Sequence, residues 1–277
     1  MSEPIVSICC LTFNHESYIR ECLEGFIMQK TNFNYEVLIH DDASTDNTAN
    51  IIREYEAKYP DIIKPIYQTE NQYSKGVGVT RVYQFPRALG KYIALCEGDD
   101  YWTDPLKLQK QVDFLEGNPK FSMSFHNAII LDEITKSEKL FCHLDQKKIT
   151  SISDLIQKWY IPTASIVFRK SFLSIPDWYK NIINGDYALE FLLAEKGPIG
   201  YIYDIMSVYR ITHKGISSLD QKKRLILLIE LLVTINSHFN LEYNELFRRK
   251  IRKLKVNLIK VRLIYLIRKV QRIIKIS

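Results

Sequence analysis

Lys91–Pro105 reads KYIALCEGDDYWTDP, and the rest of the chain is organised around it. Tyr92–Cys96 is a short apolar run with the length and composition of a buried strand. It breaks into Glu97, Asp99 and Asp100 around Gly98. A strand that leaves the core into clustered acids carries them at its carboxyl end, where open α/β sheets bind ligands. Carboxylates this close repel one another, and Mg²⁺ or Mn²⁺ is the natural partner that holds them. An acidic surface turn has the same composition, so the reading depends on what else converges on this point.

Upstream, Ile5–Leu11 is an almost wholly apolar run that ends in Thr12-Phe13-Asn14, and Ser17–Met28 follows with helical spacing. Tyr35–His40 reads as a second strand ending in Asp41-Asp42-Ala43-Ser44, with Thr45 or Asp46 as N-cap of the next helix. Ile62–Tyr67 is a third strand, and Arg81–Leu89 a helix leading into the acidic stretch. Strands alternating with helices predict an α/β fold with a mainly parallel sheet and right-handed crossovers. Thr12, Asp42 and Glu97–Asp100 then share one edge of that sheet. The chain has neither GxGxxG after the first strand nor GxxxxGK[ST], so a carboxylate–metal clamp, not a glycine-rich loop, is the expected phosphate holder.

The composition, 46% hydrophobic and 25% charged over 277 residues, is that of a globular protein and excludes a disordered one. Five cysteines form no CxxC, and the N-terminal MSEPIVSICC lacks the features of a secretory signal, which together predict a reducing cytoplasm. The net charge of +6 is uneven: residues 241–277 carry twelve Lys or Arg against two Glu, leaving the remainder at −4. A basic tail on a mildly acidic body points to a partner of its own.

VSICCLTFNHESYIRECLEGFIMQ, YEVLIHDDASTDNTANII and GKYIALCEGDDYWTDPLKLQKQVDFL resemble, in this order and spacing, the nucleotide-binding half of a family 2 glycosyltransferase. The likeness is close over residues 4 to about 115 and looser to about 218. It implies a GT-A fold: a single, mostly parallel sheet flanked by helices, here with a helical, basic C-terminal tail. It also implies an inverting enzyme using Mn²⁺ or Mg²⁺ and a nucleotide diphosphate sugar such as a UDP-sugar. By the resemblance, Asp42 reads the base, and Leu11, Thr12 and Asn14 line its pocket. Asp99 ligates the metal, Glu97 contacts metal or ribose, Asp100 faces the donor sugar or metal, and Arg81 touches the donor. The implied division is a glycosyltransferase domain over 1–220, with a nucleotide half to about 115 and an acceptor half beyond it. A helical region then occupies 221–277.

Single-step inversion needs a general base for the acceptor hydroxyl. Asp186, in Asn184-Gly185-Asp186 ahead of the helical run Tyr187–Glu195, matches the family's aspartate, with Glu190 as the fallback. As a residue alone, Asp186 could equally be a helix cap. His213 in YRITHKGISS resembles a late histidine that completes the metal shell, and imidazole suits Mn²⁺ better than Mg²⁺. His126 could serve the acceptor side, and Trp102, Trp159 and Trp178 could stack on a sugar, although packing is the commoner role for such residues. Gln221-Lys222-Lys223-Arg224-Leu225 lacks the tryptophan of the processive synthases' QxxRW motif, which predicts a non-processive enzyme.

Ile259, Leu263, Leu266, Ile267, Val270, Ile273 and Ile274 fall on one helical face, with Lys and Arg mostly opposite. Such a helix suits an anionic membrane surface, the alternatives being packing on the domain or on a second subunit in a homodimer. No motif accompanies the basic residues that would suggest nucleic acid. The expectation is a peripheral enzyme of the inner membrane face that acts on a saccharide or lipid-linked oligosaccharide in surface-polysaccharide assembly. A sugar-phosphate nucleotidyltransferase is the rival enzyme reading, but it needs its glycine-rich loop directly after strand one, whereas GVGVTR lies at 76–81. An inactive, membrane-tethered nucleotide-sugar-binding protein is the rival non-enzyme.

Overall fold

A computed structural model describes residues 3–182, 185–213, 219–239 and 241–274, without the side chains of 181, 241 and 264–274. The first half alternates as the apolar runs require. Strand β1 (Val6–Thr12) leads to helix α1 (Ile19–Ile27), β2 (Tyr35–Asp41) to α2 (Thr48–Lys58), and β3 (Ile63–Tyr67) through a π-helical turn at Thr80–Gln84 to β4 (Tyr92–Leu95). These four strands run parallel in the order β3-β2-β1-β4.

Both faces of this sheet are covered, and the strand period of two sorts the side chains between them. Val6, Ile8 and Cys10 of β1, Val37 and Ile39 of β2, and Tyr92 and Ala94 of β4 join one buried cluster with Leu23 and Phe26 of α1. Cys9, Leu38, Ile93 and Leu95, one residue out of phase, enter the opposite cluster. With both faces packed, the strand ends are where an open α/β sheet of this kind receives ligands.

The second half departs from the parallel rule. After β5 (Tyr101–Trp102) and α3 (Lys107–Gly117) come β6 (Met123–Asp132), β7 (Glu138–Leu140), β8 (Ile149–Thr150), α4 (Ile152–Gln157) and β9 (Val167–Arg169). Helix α5 (Gly185–Lys196) and β10 (Ile199–Ile211) follow. β9 inserts antiparallel between β4 and β6, and β5 runs antiparallel along β10. The mostly parallel expectation therefore holds in the first half of the chain, while the second half is mixed. β10 brings its far end, residues 207–211, back beside the acidic stretch through its pairing with β5.

Helices α6 (Gln221–His238) and α7 (Asn244–Ile274) form a hairpin over the second cluster. Ile229, Leu232 and Ile235 of α6 and Phe247, Ile251 and Leu254 of α7 are buried in the same core as Phe191 of α5. Beyond Leu254 the helix changes character: Val256, Ile259 and Leu263 are exposed. The tail positions from 266 onward, Asn184 and residues 214–218 of the late-histidine motif lie outside the described side chains. Among the described residues no helix is long and apolar enough to cross a membrane.

Candidate active site

The acidic turn is pinned from below. The Gly98 N–H donates to the Leu11 carbonyl at 2.9 Å, and the Asp100 N–H donates to that of Glu97 at 3.0 Å. A Cβ at residue 98 would lie 2.6 Å from Thr12 Oγ1, so only glycine lets the turn descend onto the end of β1. Thr12 is buried, and its Oγ1 has no partner within the protein.

The carboxylates of the turn differ in surroundings. Glu97 is exposed to solvent, with protein atoms and other acids crowded about its carboxyl. Enclosure first, then the charges of Asp99 and Asp186, push its carboxyl up to about 8. Asp99 stands 3.9 Å from His15 Nε2. Asp100 is buried, with Oδ1 accepting from the Arg210 main-chain N–H at 2.8 Å and Oδ2 meeting no donor. Burial, followed by the fields of Asp99 and Glu97, holds the Asp100 carboxyl well above its ordinary range.

Arg210 is the cation that balances the turn. Its Nη1 donates to the Asp99 carbonyl at 2.8 Å, and its guanidinium pairs with Glu21 and, at 2.9 Å, with Glu133. It also lies over the rings of Tyr18 and Tyr101. One buried side chain thus ties β10 to α1, to the β6–β7 connection and to the acidic turn.

Asp42 is buried at the end of β2 and accepts from the Gln72 N–H at 2.8 Å and the Tyr73 N–H at 2.9 Å, one amide per oxygen. Its remaining lone pairs are those it could offer a base. His40, packed beside it at 3.4 Å, has its pKa lowered by burial. Asn14, at φ +55°, accepts from the Thr45 N–H at 2.8 Å, and its own N–H donates to Ser44 at 2.9 Å. It therefore laces together the loops after β1 and β2. Leu11 is half-buried behind it. Asp41, the neighbour of Asp42, accepts from the Ser44 hydroxyl.

Asp186 lies in the first turn of α5, one residue inside the helix and so not its N-cap. Its Oδ2 accepts from Thr163 Oγ1 at 3.0 Å and its Oδ1 from the Tyr187 N–H at 2.8 Å, which fixes its orientation. The charge of Asp186 is felt at Glu97, Tyr73, Tyr179 and Tyr209, which sets it opposite the acidic turn. Arg81 lies in the π-helical turn with a buried Nε that meets no acceptor, and its charge and that of Asp186 both act on Tyr179. Gln84, from the same turn, donates to the carbonyls of Cys10 at 2.7 Å and Leu38 at 2.9 Å and locks it onto β1 and β2.

The charges of Asp99 and Asp186 both reach Glu97, and those of Asp186 and Arg81 both reach Tyr179, with Thr12 beneath Gly98 and Asp42 linked to the same neighbourhood through Tyr73. The partner of His213 is Asp132, 3.0 Å away, and not a carboxylate of the acidic turn. The N–H of Thr135 first, and His213 with it, hold the Asp132 carboxyl down at about 2. His126 is buried inside β6, its pKa lowered well below the ordinary value by burial and by Lys107. The sequence reading missed His15, Tyr73, Thr163, Tyr209 and Arg210. Of these, Tyr209 and Arg210 open the quoted YRITHKGISS stretch and His15 lies within VSICCLTFNHESYIRECLEGFIMQ, so those three had a signal.

As a cation site, the turn supplies hard carboxylate oxygens, including the orphaned Oδ2 of Asp100, which suit Mg²⁺ or Mn²⁺. Among the described residues no three His, Cys, Asp or Glu side chains close into a ready-made cage. One or two carboxylates completed by substrate phosphates are the usual arrangement for such ions.

The comparisons with known proteins agree with this geometry. The family description "Glycosyl transferase family 2" matches residues 7–174. Rv1520 of Mycobacterium tuberculosis, an uncharacterized protein, is 40% identical over 215 residues, 76% of this chain and 60% of that protein. The chain therefore spans about 60% of that relative's length. TuaG of Bacillus subtilis, provisionally assigned as a teichuronic acid biosynthesis glycosyltransferase, is 27% identical over 218 residues, 78% of this chain and 82% of TuaG. Among solved structures, Staphylococcus aureus TarS 1–349 with UDP-GlcNAc superposes with a TM-score of 0.66 at 17% identity, covering 90% of this chain and 71% of that one. The Pyrobaculum calidifontis mannosyltransferase PcManGT, with GDP-Man and Mn²⁺, gives 0.63 at 15%, covering 90% and 69%. The architecture is that of the GT-A glycosyltransferases, and the chain belongs to glycosyl transferase family 2.

Proposed function

We propose that the protein is an inverting, metal-dependent, non-processive glycosyltransferase. It moves a hexosyl or hexosaminyl group from a nucleotide diphosphate sugar, preferably a UDP-sugar, to a saccharide or lipid-linked acceptor. The observation that carries this reading is the opposition of Asp186 and the Glu97–Asp100 turn, close enough that the charge of one perturbs the other. Two like-charged groups facing across a cleft are costly unless a cation and a reacting centre come between them.

In this reading the base sits between Thr12 and Leu11, with Asp42 accepting from its N–H on the lone pairs that the Gln72 and Tyr73 amides leave free. Asn14 keeps that pocket's two loops in register. Glu97 takes the ribose or the metal edge, Asp99 holds the cation, and Asp100 together with Arg81 meets the donor sugar and diphosphate. A divalent cation, when bound, would neutralise the charge developing on the leaving diphosphate. Asp186, oriented by Thr163 and the Tyr187 N–H, takes the proton of the acceptor hydroxyl as that oxygen attacks the anomeric carbon opposite the leaving group. The displacement is a single step, so no enzyme nucleophile is required. His213 could join the metal shell only by leaving Asp132.

The name of TuaG supports a place in surface-polysaccharide synthesis. TarS with UDP-GlcNAc and PcManGT with GDP-Man and Mn²⁺ support a nucleotide-sugar donor and a divalent ion. The exposed Val256–Ile259–Leu263 stripe amid Lys and Arg supports peripheral attachment to an anionic, cytoplasm-facing membrane. The test is to incubate the protein with UDP-sugars and Mn²⁺ and identify the product. Release of UDP that ceases with EDTA and in Asp99→Ala is expected, whereas release of pyrophosphate would show a nucleotidyltransferase instead.

A further inference from the structure

Glu190 has no exposed surface, which is costly for a carboxyl group. Its Oε1 accepts from the indole N–H of Trp159 at 3.2 Å, and its Oε2 has no partner among the described residues. Trp159 itself is 38% exposed. A tryptophan that merely filled a gap would need no buried acid to hold its polar edge. Phe141 packs against Trp159 edge to face at 5.3 Å and against Tyr209 at 5.6 Å, with interplanar angles of 81° and 83°. Tyr209 lies in the combined field of Asp100, Glu97, Asp99 and Asp186. The three rings therefore make one wall from the donor-binding acids to Glu190. Asp186, the proposed base, stands one helical turn before Glu190 on α5.

We propose that Trp159, held in place by Glu190, is the platform on which a pyranose ring of the acceptor stacks. This rests on the glycosyltransferase reading and names the acceptor chemistry of the same site. A pyranose presents an apolar C–H face and a polar rim, and an aromatic wall beside a general base can take the face while leaving a rim hydroxyl toward the base. With its N–H held by Glu190, the indole plane is fixed before the acceptor arrives, which lowers the ordering cost of binding. Glu190 is a positioning residue: it acts through Trp159.

The test uses the full chain, the nucleotide sugar that the wild type turns over, Mn²⁺, and p-nitrophenyl pyranosides as acceptors. Trp159→Ala is expected to raise the acceptor KM about tenfold with kcat within about threefold, and Trp159→Phe to raise it less. Glu190→Gln retains an oxygen for the indole and should keep KM within about twofold of wild type. Glu190→Leu should raise KM as Trp159→Ala does. A UDP-induced rise in Tm certifies each variant as folded, and the Trp159 pair decides if Glu190→Leu does not fold. An unchanged KM in Trp159→Ala, or wild-type donor turnover with no transfer to any pyranoside, would overturn the platform alone. A wild type that turns over no nucleotide sugar would overturn the activity reading and the platform with it.

Discussion

The main-chain N–H of Arg210 donates to Asp100 Oδ1 at 2.8 Å, so the last strand of the sheet fixes the acid that the fourth strand delivers. The Arg210 side chain reinforces the same junction through the Asp99 carbonyl, Glu21 and Glu133. Replacing Arg210 with Met should leave the acidic turn without its cation and Glu133 with Lys136 alone. We expect a loss of roughly 2–4 kcal/mol, below the cost of breaking a fully buried pair because Glu21 is half in solvent. The same variant should also bind UDP and Mn²⁺ more weakly. Chemical denaturation and UDP titration check both, and a variant as stable as wild type would remove Arg210 from this role.

The raised Glu97 carboxyl gives a pH dependence whose sign is fixed. The folded protein without metal keeps a proton on Glu97 up to about 8, whereas the unfolded chain releases it near 4.5. Between those values the folded state binds more protons, so its stability falls as pH rises. Glu97→Gln removes that loss. In EDTA it should exceed wild type by roughly 1 kcal/mol at pH 8.5 and match it near pH 4, the figure being discounted because solvent reaches the side chain. Thermal unfolding across this range reads the difference, and parallel curves for the two proteins would refute the assignment.

Removing residues 259–277 should release the protein from anionic vesicles while leaving it folded, because the helix up to Leu254 is what packs on the core. A cut at 241 would instead strip Phe247, Ile251 and Leu254 from that core and should cost stability at roughly 2–5 kcal/mol for each lost side chain. Sedimentation with vesicles separates the two effects. Equal co-sedimentation of the 1–258 protein and the full chain would argue against a membrane tail.

What was legible in the sequence is what local patterning controls. Ile5–Leu11, Tyr35–His40 and Tyr92–Cys96 announced three parallel strands because both their faces are buried and they read as unbroken apolar runs. Their polar ends therefore marked Thr12, Asp42 and the acidic turn. Contacts made by distant segments left no local trace. The amides of Gln72 and Tyr73 reach Asp42 from a loop that returns after β3, and Arg210 meets Asp99 and Asp100 only because β10 pairs with β5. The antiparallel insertion of the short β9 between β4 and β6 was equally hidden. Trp159 looked like packing until Glu190 was found beneath its N–H.

The most direct test of the account is Asp186→Asn, which preserves shape, keeps a carbonyl acceptor for the Tyr187 N–H and turns its NH2 toward the Thr163 hydroxyl, but cannot take up the acceptor's proton. The quantities to compare are the UDP-induced rise in Tm and the rate of sugar transfer. The account predicts a thermal shift like that of wild type and transfer lowered by about 10²–10⁴-fold. Transfer by the Asn variant at the wild-type rate would contradict the assignment of Asp186 as the base.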